Sequence, residues 1–337
     1  MAFLTGLSAF PITPSDANGR VDVSGLRHLL SRLTAATVDS IGLLGSTGSY
    51  AYLSREERRR AVETAVEAVD GRCPILVGVG ALRTDEAVRL AQDARAIGAS
   101  MGLLAPVSYT PLLDDEVFEH FSTVSRVSGL PLCIYDNPST THFRFSPALV
   151  ARLSELPGIV AVKSPATDAG STAAHLRELR ALVPPTFSLG YSADWNSVEA
   201  LIAGADVWYS VAGGLFPEEC LRMVRAVQRG NAAEARRLDA EMKPLWDLFR
   251  EFSSLRVIYA AVEVLGLSGV HPPRPILPLP NAARERVAVV LGALKLSQIP
   301  QKAVPSRLNQ QNTTDRAPSI IRHAISGTWE GADRART

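Results

Sequence analysis

A chain of 337 residues, 46% of them hydrophobic, can bury one large core, and an α/β barrel uses about 250 residues as a single unit. Lys and Arg number 35 against 34 Asp and Glu, a net charge of +1, so no basic face for nucleic acid or for an anionic membrane surface is expected. No apolar run approaches the ~20 residues that cross a bilayer, and Met1 to Pro14 has neither a basic start nor a long apolar stretch, so a cytoplasmic protein without a secretory signal is expected.

Taken in chain order, short apolar runs alternate with longer amphipathic ones. Gly6–Phe10 reads as a strand and Val23–Ala36 as a helix, with Leu26, Leu29, Leu30 and Leu33 on one face. Ser40–Leu44 is the second strand. Ser54–Val69 opens with a capping-box pattern, Ser54 to Glu57, and carries an Ala61, Val62, Ala65, Val66 stripe. Pro74–Val79 is followed by Thr84–Ile97, with Thr84 as its expected cap and Gly98 as its terminator. Met101–Ala105 and Pro131–Tyr135 come next, then a helix start at Ser146-Pro147. Ile159–Lys163, Thr186–Gly190 and Asp206–Val211 complete eight strand-like runs, with helices at Asp194–Ala203 and Pro217–Gln228. Nearly continuous Val, Ile and Leu runs suit strands buried on both faces of a parallel sheet.

Strand and helix alternating in this way predict an α/β fold, a closed (β/α)8 TIM barrel over 1–225. A doubly wound open sheet is the alternative, but the first unit lacks the G-x-G-x-x-G signature. Helices near Ala232–Arg250, Ser253–Leu265 and Ala282–Ala293 predict a C-terminal helical extension over 226–298, packed on the barrel. The proline-rich stretch from His271 to Pro280 reads as an extended connector. Residues 299–337 are polar and without apolar periodicity, and are expected to form a disordered tail.

Cys73, Cys133 and Cys220 are too far apart to suggest a disulfide framework, and no C-x-x-C or paired histidines suggest a metal. Of the 35 basic residues only four are lysine, Lys163, Lys243, Lys295 and Lys302, so Lys163 is the only one in the first 242 positions. It closes the apolar run Ile159–Val162, at the carboxyl end of a strand, where a barrel places its reactive groups. Arginine stays protonated and cannot act as a nucleophile, whereas a lysine amine can. An amine withdrawn from water can attack a ketone, and the resulting imine withdraws electrons from the neighbouring carbon. The alternative is a structural lysine in an ion pair.

Other strand ends would meet it at one mouth. Tyr135 could shuttle the protons that imine formation requires, or could be a core tyrosine with a locally satisfied hydroxyl. Gly45-Ser46-Thr47-Gly48 offers two hydroxyls and approachable amides that suit a carboxylate, or is an ordinary turn. Gly190 ends the seventh run.

Together these segments resemble the dihydrodipicolinate synthase / N-acetylneuraminate lyase family of class I aldolases, over roughly residues 3 to 297. Ala9 to Thr13 resembles the opening strand of that family. Gly45 to Gly48 resembles its G-[ST]-T-G-E motif and Tyr135 to Pro138 its Y-N-x-P motif. Val160 to Lys163 resembles the strand that bears the Schiff-base lysine, and Gly204-Ala205-Asp206 with Pro217 the region of the eighth strand. The resemblance implies that Lys163 forms an imine with pyruvate and that Tyr135 and Ser46 relay protons. It implies that Thr47, Gly48 and nearby amides hold the keto-acid carboxylate, with Gly190 also lining the site. A second tyrosine, Tyr109 here, would come from a neighbouring subunit of a homodimer or homotetramer. No metal or organic cofactor is implied.

Three departures bear on the second substrate. Synthases proper carry an arginine two residues after the Y-N-x-P proline, and here Thr140 stands there. A hydroxyl cannot replace a bidentate guanidinium. Gly190-Tyr191 is followed by Ser192-Ala193 in place of the acidic residues of sialic acid lyases, and Ser49 replaces the motif glutamate. The expectation is therefore a Schiff-base lyase or aldolase joining or cleaving pyruvate, or a similar keto acid, and an unassigned aldehyde. The alternatives are 4-hydroxy-tetrahydrodipicolinate synthase, a related dehydratase, and a non-catalytic barrel that binds a keto acid.

Overall fold

Eight strands form a closed, all-parallel barrel in sequence order, β1 pairing with β8 to shut it, in the computed structural model, which describes residues 4–269 and 271–296. The strands are β1 (Gly6–Ala9), β2 (Ser40–Leu43), β3 (Ile75–Gly78), β4 (Met101–Leu104), β5 (Leu132–Tyr135), β6 (Ile159–Pro165), β7 (Ser188–Ser192) and β8 (Val207–Ser210). Most are buried along their whole length, which is why they read as continuous apolar runs rather than as alternating ones. One set of side chains points inward, including Phe10, Leu76, Leu103, Cys133, Tyr135 and Tyr209, and fills the barrel. The opposite set packs beneath the surrounding helices in a larger continuous core.

Those helices are α1 (Val23–Ala36), α2 (Arg55–Val69), α3 (Thr84–Ile97), α4 (Asp114–Ser128), α5 (Pro138–Thr141), α6 (Pro147–Ser154), α7 (Ala169–Leu182), α8 (Asp194–Ile202) and α9 (Pro217–Gln228). Asp22, Ser54, Ser146 and Asp168 each accept a backbone N–H from the first turn of the helix they precede. Two local expectations change. Only half of the capping box at Ser54 forms, because the Glu57 carboxylate accepts the Val21 N–H at 2.8 Å instead of turning back on Ser54. Thr84 lies inside α3 rather than capping it, with Arg83 at the N-cap and the Thr84 hydroxyl 2.9 Å from His120 Nδ1. The helices α4 and α7, which apolar spacing left unassigned, bury Val117, Phe121 and Val124, and Leu176 and Leu179.

Beyond the barrel, α10 (Ala232–Phe252) packs on α8 and α9, and α11 (Ser254–Val264) and α12 (Asn281–Ala293) pack on each other and on α10. A buried tyrosine of α11, Tyr259, reaches back into the barrel mouth, where its Oη lies 3.3 Å from Ser49 Oγ. The tail expected over 299–337 lies outside the described residues. No helix among the described residues is long and apolar enough to cross a membrane.

Candidate active site

Parallel pairing of β5 with β6 sets Tyr135 opposite Lys163, and the next pairing sets Lys163 opposite Gly190. The side chains of Tyr135 and Lys163 therefore point into the same end of the barrel. Lys163 is only 6% exposed, and its Nζ lies 3.9 Å from the centre of the Tyr135 ring and 5.6 Å from that of Phe10. Among the described residues no carboxylate forms a salt bridge with it. The ion-paired structural lysine is thus replaced by an amine walled in by aromatic faces.

Tyr135 Oη is 2.9 Å from Ser46 Oγ. Burial pushes the phenol towards its neutral form, but the charge of Lys163 and hydrogen bonding with Ser46, Lys163 and Asn137 outweigh it and make Tyr135 more acidic than an ordinary tyrosine. A phenol that ionises readily, beside an amine and a serine hydroxyl, can take up and return protons. Cys133 lies deeper in the barrel, against Tyr209, and burial pushes its thiol up to about 12, so it is an inert filler.

The loop after β2 is held in a costly shape. Leu44 (φ 55°) and Ser49 (φ 57°) flank Gly45 to Gly48 in the left-handed region, and such residues cost about 1–3 kcal/mol each. Gly48 has no alternative, since a Cβ there would lie 2.9 Å from the backbone of Leu44. Thr47 is 5% exposed, and the ring of Phe10 closes on Gly42 and Gly45 from below. The result is a close-packed turn whose Ser46 hydroxyl reaches Tyr135. Gly190 is enclosed as well, because a Cβ there would meet the Tyr209 ring at 2.3 Å.

The sequence profile of the Dihydrodipicolinate synthetase family matches residues 3–294. The chain belongs to that family. Among curated relatives it is 33% identical to 4-hydroxy-tetrahydrodipicolinate synthase of Methylococcus capsulatus, over 82% of this chain and 93% of that one. Among solved structures it resembles a dihydrodipicolinate synthase from Agrobacterium tumefaciens (54% identity, TM-score 0.85, 86% of this chain and 98% of the other). It also resembles YagE, a prophage protein of E. coli K12 solved in complex with pyruvate (25% identity, TM-score 0.82, 88% and 100%). As a member of the dihydrodipicolinate synthetase family, the chain is a lyase of the class I aldolase type.

Two residues expected at the site are exposed to solvent instead. Tyr109, in the loop after β4, is 98% exposed. Thr140 is exposed on the one-turn helix α5, and its hydroxyl donates to the Asn137 carbonyl at 3.2 Å. Two others escaped the sequence reading. Asn137 Nδ2 donates to Tyr135 Oη at 3.0 Å; its place two residues after a site tyrosine was the only available signal. Asp136, where the family motif has asparagine, is 4% exposed, and its Oδ1 has no hydrogen-bond partner among the described residues. Burial pushes its carboxyl up to about 6, against the opposing pull of the Phe145 N–H, Arg144 and Lys163. Among the described residues no three His, Cys, Asp or Glu side chains converge as a metal site.

Proposed function

We propose that Lys163 forms an imine with pyruvate or a similar small α-keto acid, and that the resulting carbanion equivalent is joined to, or released from, an aldehyde. The amine adds to the ketone carbon and water leaves. The protonated imine then draws electrons from the adjacent carbon, which loses a proton to give an enamine. The imine is itself the electron sink, so the chemistry requires no metal or organic cofactor.

The observation that carries this reading is the approach of Lys163 Nζ to Tyr135, whose hydroxyl is 2.9 Å from Ser46. Tyr135 supplies and accepts the protons, and Ser46 passes them on. Thr47 and the amides around Gly48 take the keto-acid carboxylate, and Gly190, opposite Lys163 on β7, lets the Tyr209 ring pack close beneath the imine. The pyruvate bound to YagE supports pyruvate as the first substrate.

Tyr109 acts from a second copy of the chain. Exposed Leu82, Tyr109 and Leu113, in the loops that follow the neighbouring strands β3 and β4, support a homodimer, or a tetramer of such dimers, that covers them. A second reading, 4-hydroxy-tetrahydrodipicolinate synthase, is favoured by the names of the curated relatives. It is opposed by Thr140, which offers a hydroxyl where a guanidinium would bind an aldehyde's carboxylate.

Borohydride reduction in the presence of pyruvate, followed by peptide mass spectrometry, tests the first half-reaction. An adduct on Lys163 is expected; a folded protein that traps none of a panel of keto acids overturns it. Turnover with carboxylate-bearing against uncharged aldehydes then separates the two readings.

A further inference from the structure

The Tyr135 hydroxyl has a neighbour besides Lys163 and Ser46. Asn137 Nδ2 lies 3.0 Å from Tyr135 Oη, and the carboxamide is fixed at its other end, where Ser139 Oγ donates to Asn137 Oδ1 at 2.7 Å. The backbone is fixed too, since the N–H groups of Thr140 and Thr141 both donate to the Asn137 carbonyl at 3.0 Å. With the amide oxygen engaged by Ser139, the nitrogen faces the phenol. An amide nitrogen can only donate. Tyr135 Oη must accept from it, so the phenolic proton has to point elsewhere, and Ser46 Oγ stands 2.9 Å away.

We propose that Asn137 is a positioning residue that sets the direction of proton transfer, by occupying a lone pair of Tyr135 Oη and turning the phenolic proton towards Ser46 and the lysine amine. This rests on the imine chemistry above and goes beyond it, because the residue acts through Tyr135 and not on substrate. The bond also strengthens when Tyr135 ionises, since a hydrogen bond to a charged oxygen exceeds one to a neutral oxygen. The phenolate produced at each proton transfer is therefore stabilised by a donor already in place.

Two variants separate orientation from packing. Asn137→Asp keeps the shape and the Ser139 contact but puts an acceptor against the phenol, which draws its proton away from Ser46. Asn137→Leu keeps most of the volume and removes the bond. Tyr135 ionisation is followed without substrate by ¹³Cζ-tyrosine NMR, assigned with Tyr135→Phe, and imine formation by the rate of borohydride trapping with pyruvate. Tyr135 is expected to titrate at higher pH in both variants and highest in Asn137→Asp. Trapping slows about tenfold in the leucine variant and about a hundredfold in the aspartate variant, at or below the lower end of the range for direct proton transfer as suits a residue acting through Tyr135, while half-saturation by pyruvate changes less than about twofold. The basic limb of the rate profile moves upward with the tyrosine. An unmoved Tyr135 titration in both variants overturns the proposal. If the unaltered protein traps no keto acid, the imine reading fails by itself, and the tyrosine titration still decides whether Asn137 holds the phenol.

Discussion

Replacing Asp136 with asparagine, the residue of the family motif, should stabilise the protein, and more so as pH rises. Asp136 is 4% exposed, and burial pushes its carboxyl from 3.8 up to about 6. The folded state thus holds a proton that the unfolded chain gives up. A folded-state pKa above the unfolded one means that stability is intact below about pH 4 and falls as pH rises towards and through about 6. The shift of about two units at 1.36 kcal/mol each makes the full penalty about 3 kcal/mol, of which about half accrues between pH 5 and pH 8. The asparagine side chain would escape it, less whatever its own amide loses where Oδ1 of the aspartate has no partner among the described residues. Denaturant unfolding of the parent and of Asp136→Asn at several pH values measures this. The gain from the substitution should be larger at pH 8 than at pH 5 by about 1.4 kcal/mol. A pH-independent gain, or a loss that deepens with pH, would refute the claim that a buried carboxyl at this position resists ionisation.

Ser46→Ala removes the 2.9 Å contact to Tyr135 and should lower kcat by about 10–100-fold with little change in KM, read from steady-state rates. Lys163→Met should abolish borohydride trapping yet leave the melting temperature equal or higher, because an enclosed cation is replaced by an apolar chain of similar length. Tyr109→Phe should be slow alone, but mixed subunits of Tyr109→Phe and Lys163→Met should regain activity, since one hybrid site then holds both an intact lysine and an intact tyrosine; failure to regain it counts against a shared site. Gly190→Ala forces a Cβ to 2.3 Å from the Tyr209 ring and should cost about 1–3 kcal/mol in thermal unfolding.

Burial explains what was legible in the sequence. Strands enclosed on both faces leave uninterrupted apolar runs, and a lone lysine closes one of them, so the barrel and the juxtaposition of Lys163, Tyr135 and Ser46 follow from local pattern. Strand ends are less legible. β7 runs Ser188–Ser192 rather than Thr186–Gly190, because pairing with β6 and not composition fixes its span, and Gly190 is therefore mid-strand. Asn137 and Asp136 were illegible for another reason. Whether a polar side chain beside Pro138 meets the phenol or is shut away from solvent depends on the shape of the turn after β5, where His142 has φ 57°. Glu57 likewise matched a local motif but found a better donor in Val21, 36 residues away.

The hydroxyl of Tyr259 touches Ser49 across 210 positions of sequence. During synthesis the loop after β2 leaves the ribosome long before α11 exists. At about 5–20 residues per second the interval is roughly 10–40 s. Until then Ser49 has no Tyr259 hydroxyl beside it, and a nascent chain with all eight strands made still lacks one support of the loop proposed to bind the keto acid. The order of translation thus leaves the loop beside Tyr135 without this contact until α11 has emerged.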